Sequence, residues 1–458
     1  MNIKEFKQIY FVGIGGIGMS ALARYFCSLD KNVSGYDRTP SAITDSLKEL
    51  GVKINFDDNI NSVEDSFLNV DETLVIITPA IPKSSVILNY FIDNNYTIIK
   101  RAKALGLISN NQKTIGVAGT HGKTSVSTLL SFLLNNSAIG CNAFLGGISK
   151  NFESNFVQGK VNSPVVVEAD EFDRSFLQLT PASAIITSLD ADHLDIYDSH
   201  NYLLQSFNDF VNQVVDGGII IIKEGLKEQL NIKDSVIVKT YSLNSKSEYY
   251  SDNIRLQNGR YIFDFVYPEG EIKNLELFVP GLVNVENCVA AIAMALNIGV
   301  SPIEIKKSLS LFKGVVRRFD YKVDNSRKVY IDDYAHHPSE IEFTLKSVRE
   351  LYPDKKITGI FQPHLFSRTR DFAIDFAKEL DKFDSIVLLD IYPARELPIE
   401  GVTSNIILEL MTSDSKQILS KDEVLDFVTK GDFDVLLTLG AGDIDRLVDP
   451  IKEIIMKL

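Results

Sequence analysis

Two stretches far apart in the chain follow one plan. "QIYFVGIGGIGMSALARYF" begins as an uninterrupted apolar run, passes through a glycine-rich turn and continues as an amphipathic segment, and "KTIGVAGTHGKTSVSTLLSFLLNN" does the same. A short apolar run without alternation is buried on both faces, as in the middle of a parallel sheet, and parallel strands need helical crossovers between them. The plan recurs. "NVSGYD", "TLVIITPAI" and "YTIIKR" read as strands after the first stretch, and "SPVVVEAD", "ASAIITSLDADHLD" and "GGIIIIKEG" after the second. From Gly314 onward, "KVYIDDYAHHP", "KITGIFQPHLFSRT", "SIVLLDIYPARE" and "DVLLTLGAGDI" are four more strand-then-loop units. Between 231 and 280, alternating segments such as "RYIFDFVYP" predict antiparallel strands, and "VENCVAAIAMALNIG" predicts a helix ending at Gly299. The reading is an α/β chain of three consecutive domains, 1–110, 111–313 and 314–458. Glycines or charges stand at the carboxyl ends of the strands, where open α/β sheets bind ligands.

Charge narrows the ligands. A formal net charge of -14 over 458 residues argues against broad binding to nucleic acid or a membrane surface, which needs a basic face. An anionic nucleotide would have to be held locally, by amides, lysine, arginine and metal. Cys27, Cys141 and Cys288 are far apart, odd in number and without metal spacing, so they read as buried free thiols of a reducing compartment. No run approaches the ~20 apolar residues of a membrane span, and the N-terminus lacks a signal-like apolar segment. The expected location is the cytoplasm.

Four groups of motifs carry chemistry. Gly13, Gly15 and Gly18 satisfy G-x-G-x-x-G between a strand and a helix, with Gly16 in the same turn and Asp37 at the end of the second strand. Such a turn suits a diphosphate, whether of a dinucleotide cofactor or of another nucleotide. In the second stretch, Gly122, Lys123 and Thr124 fit the end of the phosphate-loop pattern G-x-x-x-x-G-K-[ST], but Val117 stands where the first glycine belongs. A loop of Gly119, Thr120, His121, Gly122, Lys123, Thr124 and Ser125 would cradle the phosphates of ATP, with Thr124 on Mg²⁺. Lys123 is expected to contact phosphate and to support no core. "VVVEADEFD" and "LDADHLD" place Glu168 and His193 past two further strands. If those strands flank the loop strand, both residues converge on its phosphates and on a divalent ion. The third region holds Arg317 and Arg318, Asp332, Asp333, Tyr334, His336 and His337, then His364, Arg368 and Arg370. Arginines there could clamp a carboxylate or phosphate in fork geometry.

Together, "GTHGKTS", "EADE", "DADHLD", "RRFD", "DDYAHHP" and "FQPHLFSRTR" resemble, in order and over nearly the whole chain, the motifs of the Mur ligases, ATP-dependent amide-forming enzymes of cell-wall precursor synthesis. The family's loop is built around G-T-x-G-K-T, so Val117 is no defect. The resemblance implies a Rossmann-like N-terminal domain for a UDP substrate, a P-loop ATPase-like central domain and a Rossmann-like C-terminal domain for an amino acid. It assigns Gly13, Gly15, Gly16, Gly18 and Asp37 to the UDP substrate, and Thr124 and Glu168 to Mg²⁺, with His193 at a second metal. It puts Asn287 and Arg318 at the adenosine end of ATP, with Asp332 and Tyr334 closing over the nucleotide. Lys123 would stabilise the migrating phosphoryl group, and His337, Arg368 and Arg370 would face an acyl phosphate and the incoming amino acid. The implied substrates are UDP-N-acetylmuramate, L-alanine and ATP.

Two departures bear on this. Val283 stands where the family usually has His beside Asn284. No lysine occurs between His193 and Lys223, whereas several later ligases of the pathway carry a modified lysine there, which favours the alanine-adding branch. Competing readings are the recycling ligase that joins UDP-N-acetylmuramate to a ready-made tripeptide, a nicotinamide-dependent oxidoreductase using Gly13–Gly18, and a nucleotide-binding module without catalysis. The second leaves the phosphate loop and the third domain unexplained.

Overall fold

The computed structural model describes every residue except 1, 2, 4, 111, 191–196, 198, 245 and 395. Its first sheet has five parallel strands: β1 (Gln8–Val12), β2 (Asn32–Tyr36), β3 (Lys53–Asn55), β4 (Thr73–Ile77) and β5 (Thr97–Lys100), in the order β3-β2-β1-β4-β5. The chain adds strands to one side of β1, then returns to add β4 and β5 on the other. The carboxyl ends of β1 and β4 therefore form a switch point, where crossovers diverge and leave a crevice.

The second sheet has ten strands: β6 (Thr114–Ala118), β7 (Asn142–Ser149), β8 (Ser154–Val157), β9 (Val165–Glu168), β10 (Ser183–Ile186), β11 (Ile219–Lys223), β12 (Ile237–Ser242), β13 (Tyr249–Gln257), β14 (Arg260–Tyr267) and β15 (Gly270–Leu277). Their order is β15-β14-β13-β12-β11-β10-β6-β9-β7-β8. The loop strand β6 is thus flanked by β9 and β10, both parallel to it. The region 231–280 differs in part from the antiparallel expectation. β12 pairs parallel with β11, and β13 parallel with β12; only after β13 do two-residue turns lead directly from strand to strand. Alternation reports one exposed face, not direction, so it could not tell these cases apart.

The third sheet has six strands: β16 (Asp320–Asp324), β17 (Val329–Asp333), β18 (Ile357–Phe361), β19 (Ser385–Leu388), β20 (Lys416–Ile418) and β21 (Val435–Leu439), in the order β16-β17-β21-β18-β19-β20. Only the edge strand β16 runs antiparallel to its neighbour.

The chain divides into two compact bodies: 1–255 with 262–277 and 285–313, and 256–261 with 278–284 and 314–458. The first body holds the first sheet and the second sheet except residues 256–261, where β13 turns into β14. Tyr25, on the helix Ile17–Cys27, packs edge-on or tilted against Phe144 and Phe156 of β7 and β8. The buried Asn155 amide donates to Ile17 O at 2.6 Å and Ser20 Oγ at 2.9 Å, pinning the same helix to β8. Cys141 and Cys288 are buried free thiols and Cys27 is half-buried. Among the described residues no helix is long and apolar enough to cross a membrane.

Candidate active site

The phosphate loop joins β6 to the helix Lys123–Asn135, with Gly122 as its N-cap in the left-handed region at φ 83°. A side chain at Gly122 would be strained and would also bring its Cβ within 2.7 Å of Asn287 Oδ1, so glycine is required on two counts. Neighbouring β10 braces the loop through its carboxyl end. Ser188 Oγ accepts from His121 N at 2.7 Å and lies 3.0 Å from Thr120 Oγ1, and the Thr187 hydroxyl donates to Ala118 O at 3.2 Å and to His121 O. Thr187 and Ser188 had no motif to mark them; their signal is only that they extend a strand beside the loop strand.

Lys123 is more constrained than its sequence role implies. Its ammonium donates to Gly119 O at 2.7 Å and to Glu171 Oε1 at 2.8 Å. The side chains of Lys123 and Glu171 are 12% and 0% exposed. Burial works against the charge on Lys123, but the carboxylates of Glu171, Asp170 and Glu168 outweigh it and hold the ammonium above its ordinary pKa. Glu168 ends β9 in register with Val117 of β6. It accepts from Thr124 Oγ1 at 3.0 Å and from Gly146 N at 2.9 Å. The carboxylate fills the space that a Cβ at Gly146 would need. A hydroxyl and a carboxylate oxygen side by side suit a hard divalent ion, of which Mg²⁺ takes only one or two protein ligands alongside water and phosphate. Ser125 follows in the first helical turn, half-buried. His193, expected at a second metal, lies outside the described residues.

The glycine-rich turn after β1 sits at the switch point. Gly13 takes φ 92°, and its amide and that of Ile14 donate to Tyr36 O at 2.7 and 3.0 Å. Gly15 N donates to Asp37 Oδ2 at 2.7 Å, and Asp37 Oδ1 accepts from Thr39 N at 3.1 Å. Asp37 thus ties the turn to β2. Gly16 is the N-cap of the helix Ile17–Cys27, and Gly18 lies in its first turn.

In the second body, β17 ends at the pair Asp332 and Asp333. Asp332 is fully buried, held by Arg317 Nε at 3.0 Å and Thr438 Oγ1 at 2.7 Å. Burial still pushes its carboxyl above the usual range. Asp333 accepts from Phe319 N at 2.6 Å and Ala335 N at 2.8 Å, and burial carries its pKa to about 6. The guanidinium groups of Arg317 and Arg318 lie 5.4 and 5.0 Å from the ring centre of Tyr334. Arg318 reaches Glu340 at 3.9 Å, and Glu340 also accepts from the His336 and His337 amides. His337 caps the helix Pro338–Leu351, with its ring 4.8 Å from that of Phe372. Rings then run in series from Tyr334 through His336 and His364 to Tyr392, at centroid spacings of 5.3, 5.8 and 5.8 Å. Tyr392 was missed; it follows a strand inside "DIYPARE", without a motif of its own. The two arginines of "FSRTR" part company. Arg368 is buried, whereas Arg370 is 54% exposed and bonded to Asp371 at 2.7 Å. Asn287, expected at the adenosine end, stands beside Gly122 of the loop.

A loop that hands its strand's end to a Lys-Thr helix start, with an acidic strand end alongside, is the apparatus of an enzyme that works on nucleotide phosphates. The chain belongs to the Mur ligase family. Residues 8–113 match the Mur ligase family catalytic domain, 117–295 the Mur ligase middle domain, and 317–442 the domain described as Mur ligase, glutamate ligase domain. A UDP-N-acetylmuramate–L-alanine ligase of Parabacteroides distasonis is 49% identical over 457 residues, covering 100% of this chain and 99% of that protein. The crystal structure of a UDP-N-acetylmuramate–alanine ligase from Thermotoga maritima matches with TM-score 0.81 and 26% identity, over 98% of this chain and 99% of that one. A murein peptide ligase from Psychrobacter arcticus shares the fold, with TM-score 0.71 and 22% identity over 97% and 99% of the two chains.

Proposed function

We propose that this chain joins L-alanine to the lactyl carboxylate of UDP-N-acetylmuramate, with conversion of ATP to ADP and phosphate, as a step of peptidoglycan precursor synthesis in the cytoplasm. The observation that carries the reading is the end-to-end identity of about half with alanine ligases, 49% over 457 residues in one case. The likeness to the murein peptide ligase, at 22% identity, is one of fold and does not favour the tripeptide reaction. The domain limits 1–110, 111–313 and 314–458 go with this reading, one for each substrate.

The family's mechanism suits these residues. A carboxylate is a poor acyl donor until one oxygen leaves as phosphate, so the lactyl carboxylate attacks the terminal phosphorus of ATP and becomes an acyl phosphate. The neutral amine of alanine attacks its carbonyl carbon, and the tetrahedral intermediate expels phosphate, which takes up the proton that the nitrogen loses as it becomes an amide. Lys123 and the amides at the start of the helix after Gly122 neutralise the migrating phosphoryl group, a task of positioning and charge, while the Thr120 and His121 amides are held by Ser188 and keep the loop in shape. Thr124 and Glu168 would hold Mg²⁺, which supplies charge neutralisation at the phosphates; His193 belongs to the same reading. Asn287, Arg318, Asp332 and Tyr334 are assigned to ATP, and His337, Arg368 and Arg370 to the acyl phosphate and alanine. The buried Arg368 is the better placed of the two arginines to hold a carboxylate in a fork.

A competition assay tests the assignment. With equal alanine and tripeptide, UDP-N-acetylmuramate and ATP, the expected product by mass is the alanine adduct. Predominant tripeptide adduct would replace this reading with the recycling ligase.

A further inference from the structure

The glycine-rich turn commits its first three amides internally, those of Gly13 and Ile14 to Tyr36 O and that of Gly15 to Asp37. An anion at the switch point is then left with the first-turn amides of the helix Ile17–Cys27 and with whatever side chains face it. The cavity there, about 300 Å³, is lined by Gly16, Ile17, Gly18, Thr78, Arg101 and Glu168, among others. Arg101 opens the helix Arg101–Ser109 directly after β5. Its guanidinium lies so close under Gly18 that a Cβ there would come within 2.8 Å of Nη1. Asp170 Oδ2 stands 3.4 Å from Arg101 Nη2, longer than a good charge-assisted bond of about 2.8 Å. Arg101 also lines a second cavity, about 350 Å³, together with Lys100, Lys103 and Arg174. Arg174 is presented there by an unusual turn, in which it and Asp173 both adopt the left-handed conformation, at φ 53° and 52°. Side chains other than glycine rarely accept this, and residues held so cluster at active sites, ligand clamps and switch regions. The two cavities share Arg101 and together carry four cations on their walls, beside the carboxylates of Glu168, Asp170 and Asp173, in a chain of net charge -14.

We infer that Arg101 binds an oxyanion of the UDP substrate at the switch point of the first sheet, exchanging its long contact with Asp170 for a forked bond to that group. The inference rests on the proposed substrate. Diphosphate and lactyl carboxylate offer the same chemistry to a guanidinium, and the test separates them. Calorimetric titration of the full chain uses UDP, UDP-N-acetylglucosamine, which lacks the carboxylate, and UDP-N-acetylmuramate. Arg101→Gln should weaken UDP-N-acetylmuramate at least about tenfold, and Arg101→Lys by less, as the fork is lost but the charge kept; binding of ATP should stay as in wild type. Equal losses for all three ligands place the diphosphate on Arg101, and a loss confined to UDP-N-acetylmuramate places the carboxylate there. Asp170→Asn keeps the guanidinium and should keep the affinity. Wild-type affinity in both arginine variants, or a loss in Asp170→Asn equal to that in Arg101→Gln, overturns the inference. No binding of UDP-N-acetylmuramate by the wild type would overturn the substrate reading and the inference with it. The lysine variant keeps the test decisive should the glutamine variant fold poorly.

Discussion

At the scale of single residues, the structure changes what the loop lysine means. From the sequence, Lys123 supports no core, so its removal should cost only catalysis. In the folded chain it pairs with Glu171, whose side chain is 0% exposed, and breaking a buried ion pair by removing one member costs ~3–5 kcal/mol. Lys123→Ala should therefore lose both ligation and thermal stability, and Lys123→Ala with Glu171→Gln should recover the stability but not the activity. A double variant no more stable than the single one would refute the pairing. Asp333 gives a second expectation. Its folded pKa of about 6 exceeds the ordinary 3.8, so the folded chain holds a proton that the unfolded chain releases first. The contribution of Asp333 to stability is then greatest below about pH 4 and declines as pH rises through 6, by ~3 kcal/mol in all. Denaturant titrations of wild type and Asp333→Asn should show the wild-type advantage shrinking over that window; a constant difference would exclude the shift. Glu171 and Asp333 were both visible in their motifs. What the sequence could not show is that each is wholly enclosed, because burial of a carboxylate depends on partners distant in the chain.

At the scale of elements, the strand–turn–helix units after β1 and β6 were legible because each strand is buried on both faces and each turn needs glycine. The hairpin of β7 and β8 was not. "NAFLGGIS" carries two glycines, which weaken any strand pattern, yet Gly146 is there because Glu168 occupies the space of its side chain. The edge strands β3, β16 and β20 were missed for a different reason: with three to five residues each and one flank unpaired, they carry too short a pattern to register. The bracing of the phosphate loop by β10 yields an expectation at this scale. Ser188→Ala removes the acceptor of His121 N, so one loop amide loses its fixed direction. The expected result is an ATP affinity lower by about tenfold, the value of one hydrogen bond to a buried donor, with UDP-substrate affinity unchanged. Unaltered ATP binding would show that the loop holds its shape without β10.

At the scale of the whole molecule, composition and motif order foretold three α/β regions, and the described residues form three sheets. That the first two share one compact body was not legible, because the contacts that join them, Asn155 to Ile17 and Tyr25 to Phe144, come from residues with no pattern in common. Two bodies should melt as two transitions rather than one. UDP-N-acetylmuramate, whose assigned residues all lie in the first body, should raise the transition of that body and leave the other where it was, as read by calorimetry with and without the ligand. A single transition shifted as a whole would contradict the division. The Asn155 pin has a consequence for how the first body fluctuates. The amides of β6 can exchange with solvent only when the body opens locally, and the pin makes the helix behind the glycine-rich turn part of the same opening unit. A ligand seated on the first sheet should then slow deuterium uptake in β6, although it touches no residue of that strand and no ATP is present. Asn155→Ala should abolish that slowing while leaving the ligand bound, so that the nucleotide strand no longer registers whether the sugar site is filled.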